Sequence, residues 1–272
     1  MKLSLLKALY TDSLKSLYCY SEAENIFYII ANWLEKRNKT DVLLGIETIQ
    51  KELYLEALVN LQNGEPVQYI TQETEFYTIP LHVDNRVLIP RPETEELVHW
   101  IIENEKDQNH RILDIGTGSG CIAIALQKYL PNSMVTGCDY KCDALEVARI
   151  NAKSNDIPVE FFQTDVLISP IDPFDVIVSN PPYILNDEKK NMHINVLEHE
   201  PHIALFVEGD DPLLFYKRIT LSIKNSNTIC YFETSEFYTK ELEDWLNEHH
   251  FQFQWKLDFQ GKKRFIKITH NN

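Results

Sequence analysis

The sequence has little of what a membrane or secreted protein needs. No apolar run approaches the roughly 18 residues that cross a bilayer. Lys7, Asp12 and Lys15 interrupt the apolar N-terminal stretch before any signal-peptide cleavage site. The five cysteines are scattered and odd in number, which favours small core residues in a reducing compartment over disulfides or a metal site. We therefore expect a cytoplasmic protein that begins with an amphipathic helix.

Basic residues are also scarce. The chain has 26 Lys and Arg against 41 Asp and Glu, a formal net charge of −15. Because phosphate backbones are bound by clustered Lys and Arg, stable nucleic-acid binding is disfavoured, although Lys262, Lys263 and Arg264 form a local basic patch. An acidic surface suits a basic protein partner better. We expect a protein substrate, no membrane association and a monomer.

Three regions follow from the hydrophobic pattern. Residues 1–64 show helical spacing, including a capping box at Ser21-Glu22-Ala23-Glu24, and predict a small helical domain that ends at Gly64. Residues 65–91 contain short β-type runs and predict a hairpin linker; these runs are Tyr69-Ile70, Phe76–Ile79 and Val87–Ile89. Residues 92–272 form the predicted catalytic domain.

Strands and helices alternate from residue 111 onward, and this alternation predicts an α/β fold with a parallel sheet covered by helices on both faces. An antiparallel hairpin across Gly261 is expected to close the sheet. The predicted strands are Arg111–Ile115, Met134–Cys138, Glu160–Gln163, Val176–Ser179 and Thr228–Phe232, followed by the hairpin runs Phe251–Phe259 and Arg264–Thr269. The predicted helices among them are Ile122–Tyr129, Ala144–Lys153, Leu213–Ile223 and Thr239–Glu248.

Glycine is rare, with eight in the chain, yet three lie in one short loop between a predicted strand and helix. Cys121 stands where a dinucleotide fingerprint needs Gly or Ala, and the Gly-Lys-Ser/Thr triplet of a phosphate loop is absent. Gly-x-Gly-x-Gly after an acid is instead the pattern of S-adenosylmethionine-dependent methyltransferases. The loop backbone would contact the methionine part and sugar of that cofactor, and the helix N-terminus would favour its carboxylate. The predicted cofactor residues in this loop are Asp114, Gly116, Thr117, Gly118, Ser119 and Gly120.

Two further acids follow the next two predicted strands. Asp139 stands where an acid accepts hydrogen bonds from both ribose hydroxyls of a nucleoside ligand. Asp165 is a candidate acceptor for the adenine amino group, and Val166 a candidate for contact with the ring. A strand-terminal acid also serves as a helix cap or a solvated loop residue, so the preceding glycine loop is what favours the cofactor interpretation.

Asn180-Pro181-Pro182-Tyr183 follows the predicted strand Val176–Ser179, at the edge where open α/β sheets bind ligands. An amide or aromatic amine is a poor nucleophile because its lone pair is delocalised. Two acceptors aimed at its two hydrogens orient the lone pair and stabilise the positive charge that grows on nitrogen. The Asn180 side-chain oxygen, beside the cofactor, and the Pro181 carbonyl are the predicted acceptors. Pro182 helps to fix the backbone, and Tyr183 is expected to pack against the flat substrate group; no metal or covalent nucleophile is called for.

These motifs resemble the HemK/PrmC family of protein-(glutamine-N5) methyltransferases, which act on peptide chain release factors. The resemblance covers nearly the whole chain and also rests on Gly64–Ile70, Val87–Glu95 and Glu200-Pro201 with Ala204-Leu205. It implies a helical N-terminal domain that holds the partner, a hinge-like hairpin and a seven-strand, Rossmann-like (class I) methyltransferase domain. It also implies that the substrate is the glutamine of the release factor's Gly-Gly-Gln loop.

The sequence departs from the family pattern in places. Gln72, Thr78, Pro212 and Ser235 stand where glycine is usual, which puts peripheral geometry and partner fit in question more than the reaction. Two other interpretations stay open at this point. One is a nucleic-acid methyltransferase for adenine N6 or guanine N2, which shares the Asn-Pro-Pro-Tyr motif. The other is a binding protein that keeps the fold without catalysis.

Overall fold

The computed structural model describes residues 1–191, 194–224 and 226–270 of the chain. In chain order the helices are α1 (Leu3–Ser13), α2 (Tyr20–Glu35), α3 (Lys39–Leu43), α4 (Lys51–Gln62), α5 (Val67–Thr71), α6 (Pro92–Glu105), α7 (Cys121–Tyr129), α8 (Cys142–Ser154), α9 (Ile194–His199), α10 (His202–Leu205), α11 (Leu214–Ser222) and α12 (Thr239–Glu248). The strands are β1 (Glu73–Phe76), β2 (Ile79–His82), β3 (Arg111–Ile115), β4 (Met134–Asp139), β5 (Glu160–Gln163), β6 (Val176–Ser179), β7 (Ile229–Glu233), β8 (Phe251–Leu257) and β9 (Lys263–His270). Two 3₁₀ turns, Asn186–Asn191 and Glu236–Tyr238, complete the regular structure of these ranges.

The chain divides into two compact units, and the first comprises Met1–Glu73 together with residues 194–199. Its helices α1 to α5 enclose an apolar core in which the large side chains are fully buried; they include Leu3, Leu6, Tyr10, Phe27, Tyr54 and Leu61. The predicted N-terminal helical region is therefore present. The proposed boundaries at residues 64 and 91 stay a prediction.

Two local predictions in this unit are wrong. Helix α2 begins at Tyr20 with Cys19 as its N-cap, so Ser21 and Glu24 lie inside the helix rather than in a capping box. Tyr69-Ile70 is not a β-type run, because Pro66 caps the short helix α5 at this point. Val67 and Ile70 pack against the helical core, and this tertiary contact outweighs the β propensity of the segment.

The second unit opens with the hairpin β1–β2, as expected for the linker region. Its two turn residues, Tyr77 and Thr78, have φ of 49° and 62°, the left-handed conformation that two-residue hairpin turns with a right-handed twist require. Val87–Ile89, by contrast, forms no strand. The Ile89 N–H donates to the Glu200 carboxylate instead of to a neighbouring strand, and Pro90 and Pro92 prevent further pairing.

A left-handed backbone conformation also occurs at a second position where the family pattern has glycine. Gln72 ends helix α5 with φ of 56°, so a side chain there is strained. Ser235 has φ of −70° and its hydroxyl accepts from the Phe237 N–H, so no glycine is required. The residue before Pro212, Asp211, accepts from the Leu213 N–H and begins the approach to α11. The departures at Gln72 and Thr78 therefore have a conformational cost that Ser235 does not.

The main sheet has seven strands in the order β5-β4-β3-β6-β7-β9-β8. Strands β3 to β7 are parallel, and β9 pairs antiparallel with both β7 and β8. The five predicted parallel strands each lie within one residue of the observed bounds. The predicted α/β class, with a closing antiparallel hairpin, is confirmed.

Apolar cores lie on both faces of this sheet. Helices α6 and α7 cover one face through residues such as Leu97, Ile101 and Ile124, and helices α11 and α12 cover the other through Ile219 and Leu246. The central strands are buried on both sides, so the loops at their carboxyl ends are held on a rigid base. Among the helices of the described ranges, none combines the length and apolar character of a membrane span.

Candidate active site

A cavity of about 270 Å³ lies in the second unit, at the carboxyl ends of the parallel strands. Strands β3 and β6 are neighbours in the sheet although two other strands separate them in sequence, which is the switch point where open α/β sheets bind ligands. The glycine loop leaves β3 here and Asn180 follows β6. The cavity is lined by Arg86, Val87, Leu88, Ile115, Gly116, Gly118, Cys138, Asp139, Tyr140, Lys141, Ala144, Thr164, Asp165, Val166, Leu167, Ser179, Asn180, Pro181, Pro182, Pro201, Ile203, Ala204, Phe206, Glu208, Leu214 and Phe215.

The glycine loop presents bare backbone to this cavity. Gly116 has φ of 70°, and a Cβ placed there would meet no atom within 4 Å, so its missing side chain leaves open space beside the cavity. Gly120 serves a different purpose, because a Cβ there would lie 3.1 Å from Ala148 in α8. The first glycine lets a ligand approach, and the last lets α7 pack closely against α8.

The remaining loop residues lie behind the cavity wall. Asp114 is fully buried and accepts from the Thr117 hydroxyl at 2.6 Å and from the Ala123 N–H at 3.2 Å. Its other oxygen, Oδ1, has no hydrogen-bond partner among the described residues. Burial raises the pKa of Asp114 to about 7, against the lowering effect of its two hydrogen bonds. Asp114 and Thr117 thus shape the loop without lining the cavity.

Ser119 and Gly120 do not line the cavity either. The Ser119 backbone carbonyl accepts from the Asn151 side chain at 2.9 Å, and Gly120 is the N-cap of α7. Of the six predicted loop residues, Gly116 and Gly118 line the cavity and the other four do not. Their contacts with a cofactor stay a prediction.

Asp139 is the last residue of strand β4, contacts the glycine loop and lines the cavity. One carboxylate oxygen accepts from the Gly118 N–H and the other from the Lys141 N–H, each at 2.9 Å. Burial raises the pKa of this carboxyl, while the hydrogen bonds from Lys141, Gly118 and Tyr140 lower it. A carboxylate oxygen has two lone-pair sites, so Asp139 can still accept from a ligand in the cavity.

Asp165 and Val166 follow β5 and line the same cavity. Asp165 Oδ1 accepts from the Leu167 N–H at 2.9 Å, which fixes the loop by an Asx-type turn. Val166 is buried and belongs to the core beneath β3 and β6. An acceptor and an apolar side chain therefore stand side by side, as a purine ring with an amino group requires.

Asn180 follows the carboxyl end of β6 and lines the same cavity. Its side-chain Nδ2 donates to the Thr94 hydroxyl at 3.2 Å, and Ser179 before it is anchored to the Ile115 carbonyl at 2.8 Å. Pro181 and Pro182 line the cavity beside it. The corner is therefore held on both sides of Asn180.

Tyr183 behaves differently from the other residues of its motif. Its ring packs against the core under α11 and α12, and burial raises its pKa. Asn180, Pro181 and Pro182 line the cavity, and Tyr183 is not among the described residues that do so. The expected stacking of Tyr183 on a substrate therefore has no support in this arrangement.

Several cavity residues carried no assigned role in the sequence. Arg86 comes from the linker and forms ion pairs with Asp84 at 2.7 Å and Glu146 at 3.1 Å. Pro201 and Ala204 come from a segment that the family resemblance had singled out without a function. Thr94 lies within the segment Val87–Glu95, which resembles the family pattern. Its contact with Asn180 spans 86 residues of sequence, so local patterns do not predict it.

Comparisons with known proteins identify the family of the chain. A family model described as methyltransferase small domain matches residues 94–210. The chain is 43% identical, over 96% of both chains, to a release factor glutamine methyltransferase of Flavobacterium psychrophilum. It is 49% identical to the protein of that name from Lactococcus lactis subsp. lactis, over 80% of this chain and 82% of that one.

Solved structures show the same fold. The hMettl16 catalytic domain in complex with MAT2A 3′UTR hairpin 6 matches with a TM-score of 0.56, covering 80% of each chain at 17% identity. At this identity the similarity concerns the fold alone, which is that of class I S-adenosylmethionine-dependent methyltransferases. The near full-length identity to curated relatives is the more specific finding, and it shows that the chain belongs to the release factor glutamine methyltransferase family.

Proposed function

We propose that this protein uses S-adenosylmethionine to methylate the side-chain amide nitrogen, N5, of the glutamine in the Gly-Gly-Gln loop of a peptide chain release factor. The observation that carries the proposal is the position of Asn180-Pro181-Pro182 on one cavity with Gly116, Gly118 and Asp139. A substrate corner and a cofactor corner on one cavity are what methyl transfer between two bound molecules needs.

The residues of the cofactor corner fit S-adenosylmethionine. Gly116 offers open space and backbone contact, and Asp139 keeps free acceptor sites for ribose hydroxyls. Asp165 and Val166 would hold the adenine. When bound, the cofactor supplies an electrophilic methyl group on a sulfonium sulfur. Asp114 and Thr117 would support the loop from behind through their 2.6 Å hydrogen bond.

The Asn180 corner would orient the substrate nitrogen. The Asn180 Oδ1 and the Pro181 carbonyl would each accept one of the two amide N–H bonds of the glutamine. Holding both hydrogens in this way aims the nitrogen lone pair at the donor, and it stabilises the charge that develops on nitrogen. Tyr183 would support the corner from the core side rather than stack on the substrate.

The substrate class is supported by family membership and by charge. Relatives at up to 43% identity over nearly the whole chain are named release factor glutamine methyltransferases. The net charge of −15 opposes binding to a nucleic-acid backbone. The proposal includes a cytoplasmic location, with which five free cysteines are consistent, and a monomeric enzyme.

Mass spectrometry of a purified release factor, incubated with the enzyme and S-adenosylmethionine, tests the proposal. We expect a gain of one methyl group on the glutamine of the Gly-Gly-Gln loop. A release factor with that glutamine replaced by Ala is the matched control and should gain none. Methylation of DNA or RNA with no change in the release factor would contradict the proposal, as would failure to bind the cofactor in calorimetry.

A further inference from the structure

Asn180 belongs to a buried chain of three side chains in the second unit. Its Nδ2 donates to the Thr94 Oγ1 at 3.2 Å, and the Thr94 hydroxyl donates to the Glu233 Oε2 at 2.6 Å. Thr94 is 2% exposed and Glu233 is 3% exposed. These hydrogen bonds connect the ends of β6 and β7 with the first turn of α6. Ser179 and Phe232 are paired in the sheet, and Asn180 and Glu233 are the residues that directly follow them.

The chemistry of these groups fixes which of them donates and which accepts in each hydrogen bond. A carboxylate only accepts hydrogen bonds, so the Thr94 proton must point to Glu233 when Glu233 is charged. The Thr94 oxygen is then an acceptor, and the Asn180 group that faces it must be the Nδ2 donor. The Asn180 Oδ1 is consequently turned away from Thr94 and is available to a substrate.

A proton on Glu233 removes this constraint. A carboxylic acid can donate to the Thr94 oxygen, and the Thr94 proton can then turn to Asn180. That arrangement fits an Asn180 amide rotated by half a turn, with the Nδ2 directed to the substrate side. Two N–H groups would then face each other, and the acceptor that methylation of an amide needs would be missing.

We propose that Thr94 and Glu233 are positioning residues that hold the Asn180 amide with its oxygen toward the substrate nitrogen. The inference rests on the proposed function, in which Asn180 is the acceptor for the glutamine amide. It assigns a role to a threonine and a glutamate that lie behind the reacting groups.

Several charged or titratable groups surround Glu233. Arg91 and Glu93 come from the approach to α6 and its first turn, Arg264 from β9, and Tyr216, whose hydroxyl donates to the Glu233 backbone carbonyl at 3.1 Å, from α11. Tyr183 and Cys121 also interact with it electrostatically. Arg264 and Arg91 are already engaged with Asp258 and Glu200 respectively. Glu233 thus lacks a dedicated cationic partner among the described residues.

The surroundings of Glu233 imply a pH dependence. Burial raises the pKa of Glu233 to about 7, against the lowering effects of Thr94, Arg264 and Arg91. Since the productive orientation requires the charged carboxylate, kcat should fall as the pH decreases through this value. The kcat profile reports groups in the enzyme–substrate complex, so the decrease is expected in kcat as well as in kcat/KM.

Thr94→Val tests the chain directly, because it keeps the size of the side chain and removes the hydroxyl. We expect kcat to fall about tenfold, the effect of losing one orienting hydrogen bond. The Kd for S-adenosylmethionine and the KM for the release factor should stay within about twofold of wild type. Thr94→Ser, which restores the hydroxyl, should recover most of the activity.

Thr220→Val is the matched control, since Thr220 in α11 is fully buried and its hydroxyl has no partner in the part of the chain that the structure describes. It should leave kcat unchanged. Glu233→Gln gives an independent readout, because an amide of the same shape cannot titrate. Its kcat should be reduced about threefold to tenfold at pH 8 and should fall less between pH 8 and pH 6 than the kcat of the wild type.

Wild-type kcat in Thr94→Val would overturn the inference, and so would an acid limb in Glu233→Gln as steep as that of the wild type. In both cases an active wild-type enzyme would leave the proposed function intact. A wild-type enzyme with no activity on the release factor would instead overturn the proposed function and this inference together. Circular dichroism of each variant establishes that a loss of kcat occurs in folded protein.

Discussion

The two corners of the cavity are built in different ways. At the glycine corner, after β3 and β4, the acids Asp114 and Asp139 accept from backbone N–H groups of Ala123, Gly118 and Lys141. At the Asn180 corner, after β6 and β7, the polar groups are bonded side chain to side chain. The first geometry rests mainly on main-chain donors, with one side-chain bond from Thr117 to Asp114, and the second depends on single hydroxyl and carboxyl groups. Substitutions should therefore separate into effects on cofactor binding and effects on turnover.

The largest effect is expected at the Asn180 corner. Asn180→Ala removes the acceptor for the substrate amide and should lower kcat about 10²- to 10³-fold, as loss of one preorganised polar group at a reacting centre does. The Kd for the cofactor, measured by calorimetry, should change little because the glycine corner is untouched. Asn104→Ala, which removes an amide that donates to the Trp100 carbonyl of its own helix, is the control. A variant at Asn180 with near wild-type kcat would contradict the two-acceptor mechanism.

Gly120→Ala should damage the main chain of the glycine corner. The residue has φ of 81°, and its new Cβ would lie 3.1 Å from both Ala148 and Ile124. Left-handed strain and overpacking together should lower the free energy of unfolding by about 3 kcal/mol, measured by urea titration. Gly209→Ala has φ of 95° but open space, so it should lose only about 1 kcal/mol. Equal losses in the two variants would show that packing against α8 contributes nothing.

Asp139→Ala should weaken cofactor binding. Hydrogen bonds to a charged group are worth about 1.5–3 kcal/mol, so the Kd for S-adenosylmethionine should rise roughly 10- to 150-fold. At saturating cofactor, kcat should stay near wild type, the reverse of the Asn180 variant. Asp175→Ala removes an acid that accepts from the Arg111 N–H at the other edge of the sheet and should leave the Kd unchanged. An unaltered Kd in the Asp139 variant would exclude the ribose contact.

The smallest effect tests what glycine contributes where no ligand approaches. Gln72 adopts φ of 56° at the end of α5. In the glycine loop, residues with this left-handed conformation are glycines. Gln72→Gly should stabilise the protein by about 1 kcal/mol because the left-handed strain is relieved. Gln68→Gly, inside the same helix, should instead destabilise it by about 1 kcal/mol. Thermal unfolding distinguishes the two, and a loss of stability in both would contradict the strain argument.

Local pattern predicted the catalytic fold closely. Strands β3, β5 and β6 have the predicted bounds, and β4 and β7 differ by one residue, because buried parallel strands are continuous apolar runs bounded by turn residues. The errors lie in the first unit and the linker. Tyr69-Ile70 is helical since Val67 and Ile70 reach the helical core. Val87–Ile89 forms no strand, and Ile89 donates instead to Glu200, 111 residues away.

The candidate site was predicted only in part, for a similar reason. Gly116, Gly118, Asp139, Asp165 and Asn180 are tied to strand ends, so their positions at one sheet edge follow from the topology. The sequence could not separate them from Thr117 and Ser119, which are buried and do not line the cavity. Whether a loop residue lines the cavity or lies in the core depends on its backbone conformation and on the direction of its Cα–Cβ bond.

The sequence by itself determined the family, the α/β fold and the corner that presents Asn180, because these depend on local patterns and on motifs a few residues long. Only the tertiary structure brought Thr94 and Glu233 to Asn180, across separations of 139 residues between Thr94 and Glu233 and 86 between Thr94 and Asn180. A hydrogen bond requires two groups within about 3 Å, and for distant residues that proximity arises from the packing of α6 over the ends of β6 and β7. The direction in which the Asn180 amide points is therefore a property of the fold.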